Sequence, residues 1–205
     1  GADRGAGLDP GDPIIVAPKA VSPSGNYEGK HVRPPRRGAL GVRGGKAAHA
    51  LYLDEEVGTT LAAKATDWIT RHEDAPFLLC LMPTGIHHPC TPHPRFQGTS
   101  ECGLYGDFVH ELDWMVGEVL DTLDKHDLTD NTLVIFTSDN GGMLHHDGTV
   151  AWEAGHRLNG EHFGFKFDAW EGGHRVPFIV RWPGHVPAGT TSDHLVSSID
   201  LTRTL

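Results

Sequence analysis

Asp139 and Asn140 place a carboxylate and a carboxamide side by side, after the apolar run Thr132–Thr137 and just before Gly141-Gly142. Paired hard oxygens of this kind suit Ca²⁺ or Mg²⁺ better than a soft metal. The same string also fits an ordinary Asx turn, and two ligands leave a shell of about six to eight oxygens incomplete. A second group is His87-His88, within Thr84-Gly85-Ile86-His87-His88-Pro89. Adjacent residues of an extended chain point opposite ways, so only one imidazole faces a given site. The alternative is a loop His pair bonded to backbone. The chain holds 15 His, so no single one is strong evidence, and His145, His146 and His156 share that weakness. Lys166 is the only Lys between Asn140 and the last residue, and it lies among aromatics. It is either a point charge for an anionic group or a snorkelling amine on an apolar stem. Cys90-Thr91-Pro92-His93-Pro94-Arg95 imitates a reactive cysteine motif, but nothing in the sequence lowers its thiol pKa.

These residues need elements to hold them. Val57, Leu61, Ala65, Trp68 and Ile69 form one stripe at the helical period. The spacing predicts a helix over 54–72, with Asp54 as its N-cap and Arg71 and His72 in its last turn. Phe77–Met82 is a continuous apolar run of strand length, consistent with burial on both faces. A Pro-, His- and Thr-rich loop then leads to a second helix over 105–126, striped by Phe108, Leu112, Met115, Val116, Val119, Leu120 and Leu123. Thr132–Thr137 and Phe178–Trp182 read as further strands. The order helix–strand–helix–strand predicts an α/β domain with a mostly parallel central sheet flanked by helices. In such sheets ligands bind beyond the carboxyl ends of the strands, where Asp139, Asn140 and the His87 loop would meet on one rim.

The chain has 205 residues, 26 Gly, 14 Pro, 3 Cys and a formal net charge of −10. That length suffices for one buried core. The acidity argues against a nucleic-acid binder held by phosphate contacts. No apolar run approaches the ~18–20 residues of a membrane helix. Cys80, Cys90 and Cys102 form no CxxC, which disfavours a disulfide scaffold or a cysteine zinc site. Residues 1–50 read as an irregular Gly/Pro-rich leading segment, and residues 51–205 as the α/β part. Six Lys/Arg lie between Lys30 and Lys46. They are either a solvated loop or a patch for an anionic partner.

Taken in order, several segments are more specific together than apart. They are Pro76-Phe77-Leu78, Ile86-His87-His88-Pro89, Tyr105-Gly106-Asp107 with Glu111-Leu112-Asp113, Asn131 through Gly141, and Lys166 followed by Trp170 through Phe178. Trp182-Pro183-Gly184 and Ser198-Ile199-Asp200-Leu201 complete the series. The chain closely resembles the type I (arylsulfatase-like) sulfatases over about residues 51–205. The resemblance implies an alkaline-phosphatase-like α/β fold and sulfuric ester hydrolysis at a Ca²⁺ site, with Mg²⁺ as the alternative ion. It implies that Asp139 and Asn140 are metal ligands, and that Lys166 and His87 bind the sulfate and serve catalysis. His88 occupies a variable position.

The resemblance also has gaps. The family's nucleophile is a formylglycine made from Cys or Ser in Cys/Ser-x-Pro-x-Arg. At the Cys90 segment Pro94 stands where Arg is required, and the segment follows His87 instead of preceding it. The family's first metal-binding Asp pair and its Gly-Lys-x-His-x-Gly segment have no counterpart. The expectation is a middle-to-late piece of a sulfatase, lacking its amino-terminal half and small carboxy-terminal domain, and inactive alone. On that expectation, neither the net charge nor the absence of a leader places the parent protein. A periplasmic or extracellular place is favoured by the family, and the upstream sequence would decide. The substrate expected is a sulfate ester, with a sulfated carbohydrate suggested by the basic stretch. The alternatives are a phosphodiesterase or phosphonate monoester hydrolase of the same superfamily, or a non-catalytic fragment. Oligomeric state is not legible.

Overall fold

The computed structural model describes residues 53–205. The leading segment and the basic stretch of residues 30–46 lie outside the described residues. A 3₁₀ turn, Asp54–Glu56, leads into α1, Val57–Arg71. The chain already turns at Asp54, so the cap position falls to Glu56, which makes no side-chain cap bond. The predicted stripe is the buried one, with Leu61, Ala65 and Ile69 facing inward beside Ala62. α2 spans Gly103–Lys125 and lies against α1, joining Met115 to Leu61, Ala62 and Ala65 in the first core cluster. A second cluster unites Tyr105 and Phe108 of α2 with Cys90 and with Ala151 of α3, Asp147–Glu153.

Phe77–Met82 runs extended beneath these helices. Leu79 and Leu81 pack on the first cluster, and Phe77 meets Trp68 edge to face at 5.5 Å. Leu78, Cys80 and Met82 face outward. The expected strand buried on both faces is therefore packed on one face only. No described segment hydrogen-bonds alongside it, so it belongs to no ladder.

The sheet among the described residues is a pair, β1 (Val134–Thr137) and β2 (Phe178–Arg181). They pair antiparallel, with Thr137 opposite Phe178 and Val134 opposite Arg181. The mostly parallel sheet expected from the sequence leaves room for such a pair, which here is antiparallel. A parallel pair needs a crossover that returns the chain to the starting edge. Here residues 138–177 fold back on themselves, and Gly141 N–H donates to the Gly173 carbonyl at 2.9 Å. The chain thus re-enters the sheet where it left and must run the opposite way. α4 (Glu171–His174) immediately precedes β2, and α5 (Ser198–Thr204) closes the chain. No described helix is long and apolar enough to cross a membrane.

Two buried carboxylates fix the helices. Asp107 accepts from the N–H groups of Gly98 and Ser100, each at 2.8 Å, and so ties the incoming loop to α2. Glu111 is 1% exposed and faces Gly58 of α1, where a Cβ would lie 2.4 Å from Glu111 Oε1. One oxygen of Glu111 accepts from His93 N–H at 3.1 Å, while the other has no partner among the described residues. Burial pushes its carboxyl above the ordinary range, against the smaller opposing pull of that hydrogen bond. The folded state therefore holds this proton more tightly than the unfolded state. The resulting stability is present below the ordinary carboxylate pKa and is lost as pH rises through the raised folded value. Glu111→Gln is expected to lose less stability than wild type as pH rises through that window. Urea midpoints across the window would read this, and parallel curves for the two proteins would contradict it.

Candidate active site

The carboxyl end of β1 leads directly into Ser138-Asp139-Asn140-Gly141-Gly142. Backbone contacts join this turn directly to the Lys166 loop. Besides the Gly141–Gly173 bond, Lys166 N–H donates to the Gly142 carbonyl at 2.8 Å. Such an approach needs glycines. A Cβ on Gly141 would lie 1.8 Å from the Gly172 carbonyl oxygen, and one on Gly173 would lie 2.2 Å from that of Asp168. The Asn159 side chain completes the clamp. Its Oδ1 accepts from Gly142 N–H at 2.6 Å, and its Nδ2 donates to the Gly164 carbonyl at 3.0 Å. Sequence reading missed Asn159, since an isolated Asn in a loop carries no spacing signal.

Asp139 is exposed, and its carboxylate makes no hydrogen bond among the described residues. Asn140 Nδ2 donates to the Gly141 carbonyl at 2.9 Å, which leaves Oδ1 as a free acceptor. The pair thus presents hard oxygens, as a Ca²⁺ or Mg²⁺ site requires. No group of three or more His, Cys, Asp or Glu side chains among the described residues is placed to hold an ion. Lys166 is half-buried, with its ammonium 5.5 Å from the Phe167 ring centroid.

The His87 loop packs on the start of α3 through its neighbour. His88 stacks on His146 at 4.4 Å, and its Nδ1 lies 3.7 Å from Asp147 at the start of α3. Burial and the two flanking imidazoles hold the His88 pKa below the usual value, against the pull of Asp147. His88 is thus the half-buried anchor, and His87 is the ring left exposed. His87 Nδ1 bonds the His88 carbonyl. A carbonyl only accepts, so Nδ1 carries a proton, and Nε2 makes no hydrogen bond among the described residues. No hydrogen bond or ion pair among the described residues joins the side chains of His87, Asp139, Asn140 and Lys166. Backbone bonds join the Asp139-Asn140 turn to the Lys166 loop, while the His87 loop contacts His146 and Asp147 through His88. Asp147, at the hub of this contact, also escaped sequence reading.

The Cys90 segment is structural. Burial, with Asp147 beside it, pushes the Cys90 thiol up to about 12, so it is not a thiolate at neutral pH. Arg95 stacks on Trp114, 3.7 Å from the ring centroid, and on Phe96 at 4.6 Å.

Comparison with known proteins gives the family. The sulfatase family model matches residues 24–205. The N-acetylgalactosamine-6-O-sulfatase of Bacteroides thetaiotaomicron is 39% identical over 221 residues, covering 97% of this chain and 42% of that protein. Rat steryl-sulfatase is 43% identical over 145 residues, covering 71% of this chain and 25% of the relative. The chain therefore spans less than half the length of these relatives. A solved structure from work on glycosaminoglycan metabolism by Bacteroides thetaiotaomicron superposes with a TM-score of 0.62 at 44% identity, over 67% of this chain and 29% of that one. Ps i-CgsB, solved in complex with k-i-k-neocarrahexaose, gives the same TM-score at 30% identity, over 70% and 32% of the two chains. By family match, by relatives and by fold, the chain belongs to the type I sulfatases of the alkaline-phosphatase-like α/β superfamily.

Proposed function

We propose that the intact protein is a sulfuric ester hydrolase whose reacting ester sits on the rim formed by Asp139, Asn140, Lys166 and His87. The observation that carries this reading is the Lys166 N–H bond to the Gly142 carbonyl, which fixes the cationic residue against the Asp139-Asn140 turn. Lys166 provides fixed positive charge for the sulfate oxygens, where charge develops as the S–O bond to the leaving alcohol breaks. In its imidazolium form, His87 donates from Nε2 to a sulfate oxygen or passes that proton to the departing alcohol. His88 holds that loop in place and takes no part in the chemistry. Asp139 and Asn140 would supply two of the oxygens that hold Ca²⁺ or Mg²⁺, which when bound polarises the sulfate. The remaining ligands and the formylglycine nucleophile are assigned to the parent protein outside the described residues. A sulfated carbohydrate is the proposed substrate class, supported by the N-acetylgalactosamine-6-O-sulfatase relative and by the saccharide bound to Ps i-CgsB.

The direct test is sulfate release from an aryl sulfate by the intact protein. Chelation with EDTA, or Asp139→Ala, is expected to lower the rate by ~10²-fold or more. Ca²⁺ should restore the chelated wild type but not the variant. Full activity of Asp139→Ala in chelator would rule the assignment out. Residues 1–205 alone carry too few metal oxygens among the described residues for a complete site. They are expected to release no sulfate, and Ca²⁺-dependent release by this piece would contradict that.

A further inference from the structure

Gly142 lies between the Asp139-Asn140 turn and the Lys166 loop, and the Asn159 amide holds both of its polar groups. Oδ1 accepts from Gly142 N–H at 2.6 Å, while Nδ2 donates to the Gly142 carbonyl at 3.4 Å and to the Gly164 carbonyl at 3.0 Å. The Gly142 carbonyl spends its other lone pair on Lys166 N–H, at 2.8 Å. A carboxamide carries a donor and an acceptor in one plane, as a peptide unit does. Residues 142 and 164 lie outside the β1–β2 ladder. There the Asn159 side chain does for the backbone what a neighbouring strand would do.

Asn159 is itself anchored. Leu158, one residue before it, packs on the second core cluster of Cys90, Tyr105, Phe108 and Ala151. On the other side, the Asn159 carbonyl accepts from His162 N–H at 3.1 Å, which closes a turn. The fit to Gly142 is close, since a Cβ there would lie 2.9 Å from Leu158 Cβ and 3.1 Å from Asn159 Oδ1. Every partner in this clamp is a described residue of this chain.

We propose that Asn159 is a positioning residue for ester hydrolysis, setting the register between the Asp139-Asn140 oxygens and Lys166. This rests on the sulfate-ester reading above and adds to it a residue that acts through backbone. Gly142 stands two residues after Asn140, and Gly164 two residues before Lys166. One amide, tied to the core through Leu158, therefore fixes both approaches. Without it, Gly142 N–H and the Gly164 carbonyl lose their partner. The Gly141–Gly173 and Lys166–Gly142 bonds then still hold the two segments together, but nothing ties them to the core at this point. A displacement of about 1 Å at a positioned group costs on the order of 10²-fold in rate.

The position requires an amide. Asn159→Asp keeps the shape and the acceptor for Gly142 N–H. Its ionised carboxylate has no proton to give and faces two carbonyl oxygens, whereas the protonated carboxyl offers one donor and one acceptor and restores the pattern. Those carbonyls favour the neutral form, so this carboxyl should ionise above the ordinary carboxylate range.

The test measures kcat/KM of the intact protein on a small aryl sulfate for wild type, Asn159→Ala and Asn159→Asp, from about pH 5 to about pH 8. Activity is expressed per folded molecule, with the folded fraction taken from circular dichroism of the same samples. Asn159→Ala is expected to fall ~10²-fold below wild type at every pH. Asn159→Asp should lie within about threefold of wild type at the acid end and fall a further ~10-fold or more toward the alkaline end, as its carboxyl ionises. A purely structural role would lower the folded fraction and leave activity per folded molecule unchanged. That result, or an Asn159→Asp to wild-type ratio that is flat with pH, would overturn the assignment while the sulfate-ester reading stands. If wild type does not hydrolyse the aryl sulfate, the sulfate-ester reading falls and this inference falls with it.

Discussion

Lys166→Ala in the intact protein is expected to lower kcat/KM on a sulfate ester by ~10²-fold or more, the usual cost of removing one preorganised electrostatic donor. Lys166 is held by its backbone bond to Gly142, and its side chain makes no hydrogen bond or ion pair among the described residues. Truncation beyond Cβ therefore removes charge without disturbing the loop. The loss should fall on turnover with little change in melting temperature, which separates chemistry from folding. Lys166→Arg should recover only part of the activity, since a planar fork does not replace a compact ammonium. A Lys166→Ala protein with near wild-type turnover would remove this residue from the site.

Gly172→Ala is expected to do comparable damage by a different route. A Cβ there would lie 2.0 Å from the Gly164 carbonyl oxygen and 2.9 Å from that of Phe163. Both obstacles are backbone, so no side chain can swing aside. The loop must open, and its bond from Gly172 N–H to the Phe163 carbonyl must break. Lys166 then loses its register with the Asp139-Asn140 turn, and a displacement of about 1 Å at a positioned group costs on the order of 10²-fold in rate. Gly117→Ala provides the contrast. Gly117 lies within α2, with no atom within 4 Å of an added Cβ. That substitution should stabilise the protein by roughly 0.5–1 kcal/mol through helix propensity. Melting temperatures and turnover for the pair would decide it. Equal behaviour of the two variants would show that the close approach at Gly172 does not matter.

Helices were the legible part of this fold. The apolar stripe from Val57 to Ile69 repeats at the helical period, and the structure buries it as read. Strand direction was not legible, because it depends on where the 138–177 connection closes. That closure rests on glycine contacts and on one Asn159 amide, which no periodicity announces. The apolar run Phe77–Met82 suggested two buried faces, yet only alternate residues pack. Composition marks what a segment can bury, not what lies beside it.

The candidate residues could be named one by one, but not how the chain connects them. Asp139, Asn140, Lys166 and His87 stood out by type and by neighbouring motifs. What connects them did not. The His88–His146 stack and the Asp147 contact join segments about sixty residues apart, and each partner is an unremarkable loop residue in the sequence. His88 gave no signal of its anchoring role, because adjacent histidines are distinguishable only once one of them is packed.

The most direct measurement of the central claim is a side-by-side determination of kcat/KM for matched sulfate and phosphate esters of one alcohol, using the intact protein with Ca²⁺. A rim built for sulfuryl transfer predicts that the sulfate ester is the preferred substrate and that Lys166→Ala abolishes the preference. Preferred hydrolysis of the phosphate monoester or diester, with the sulfate ester left untouched, would contradict the account.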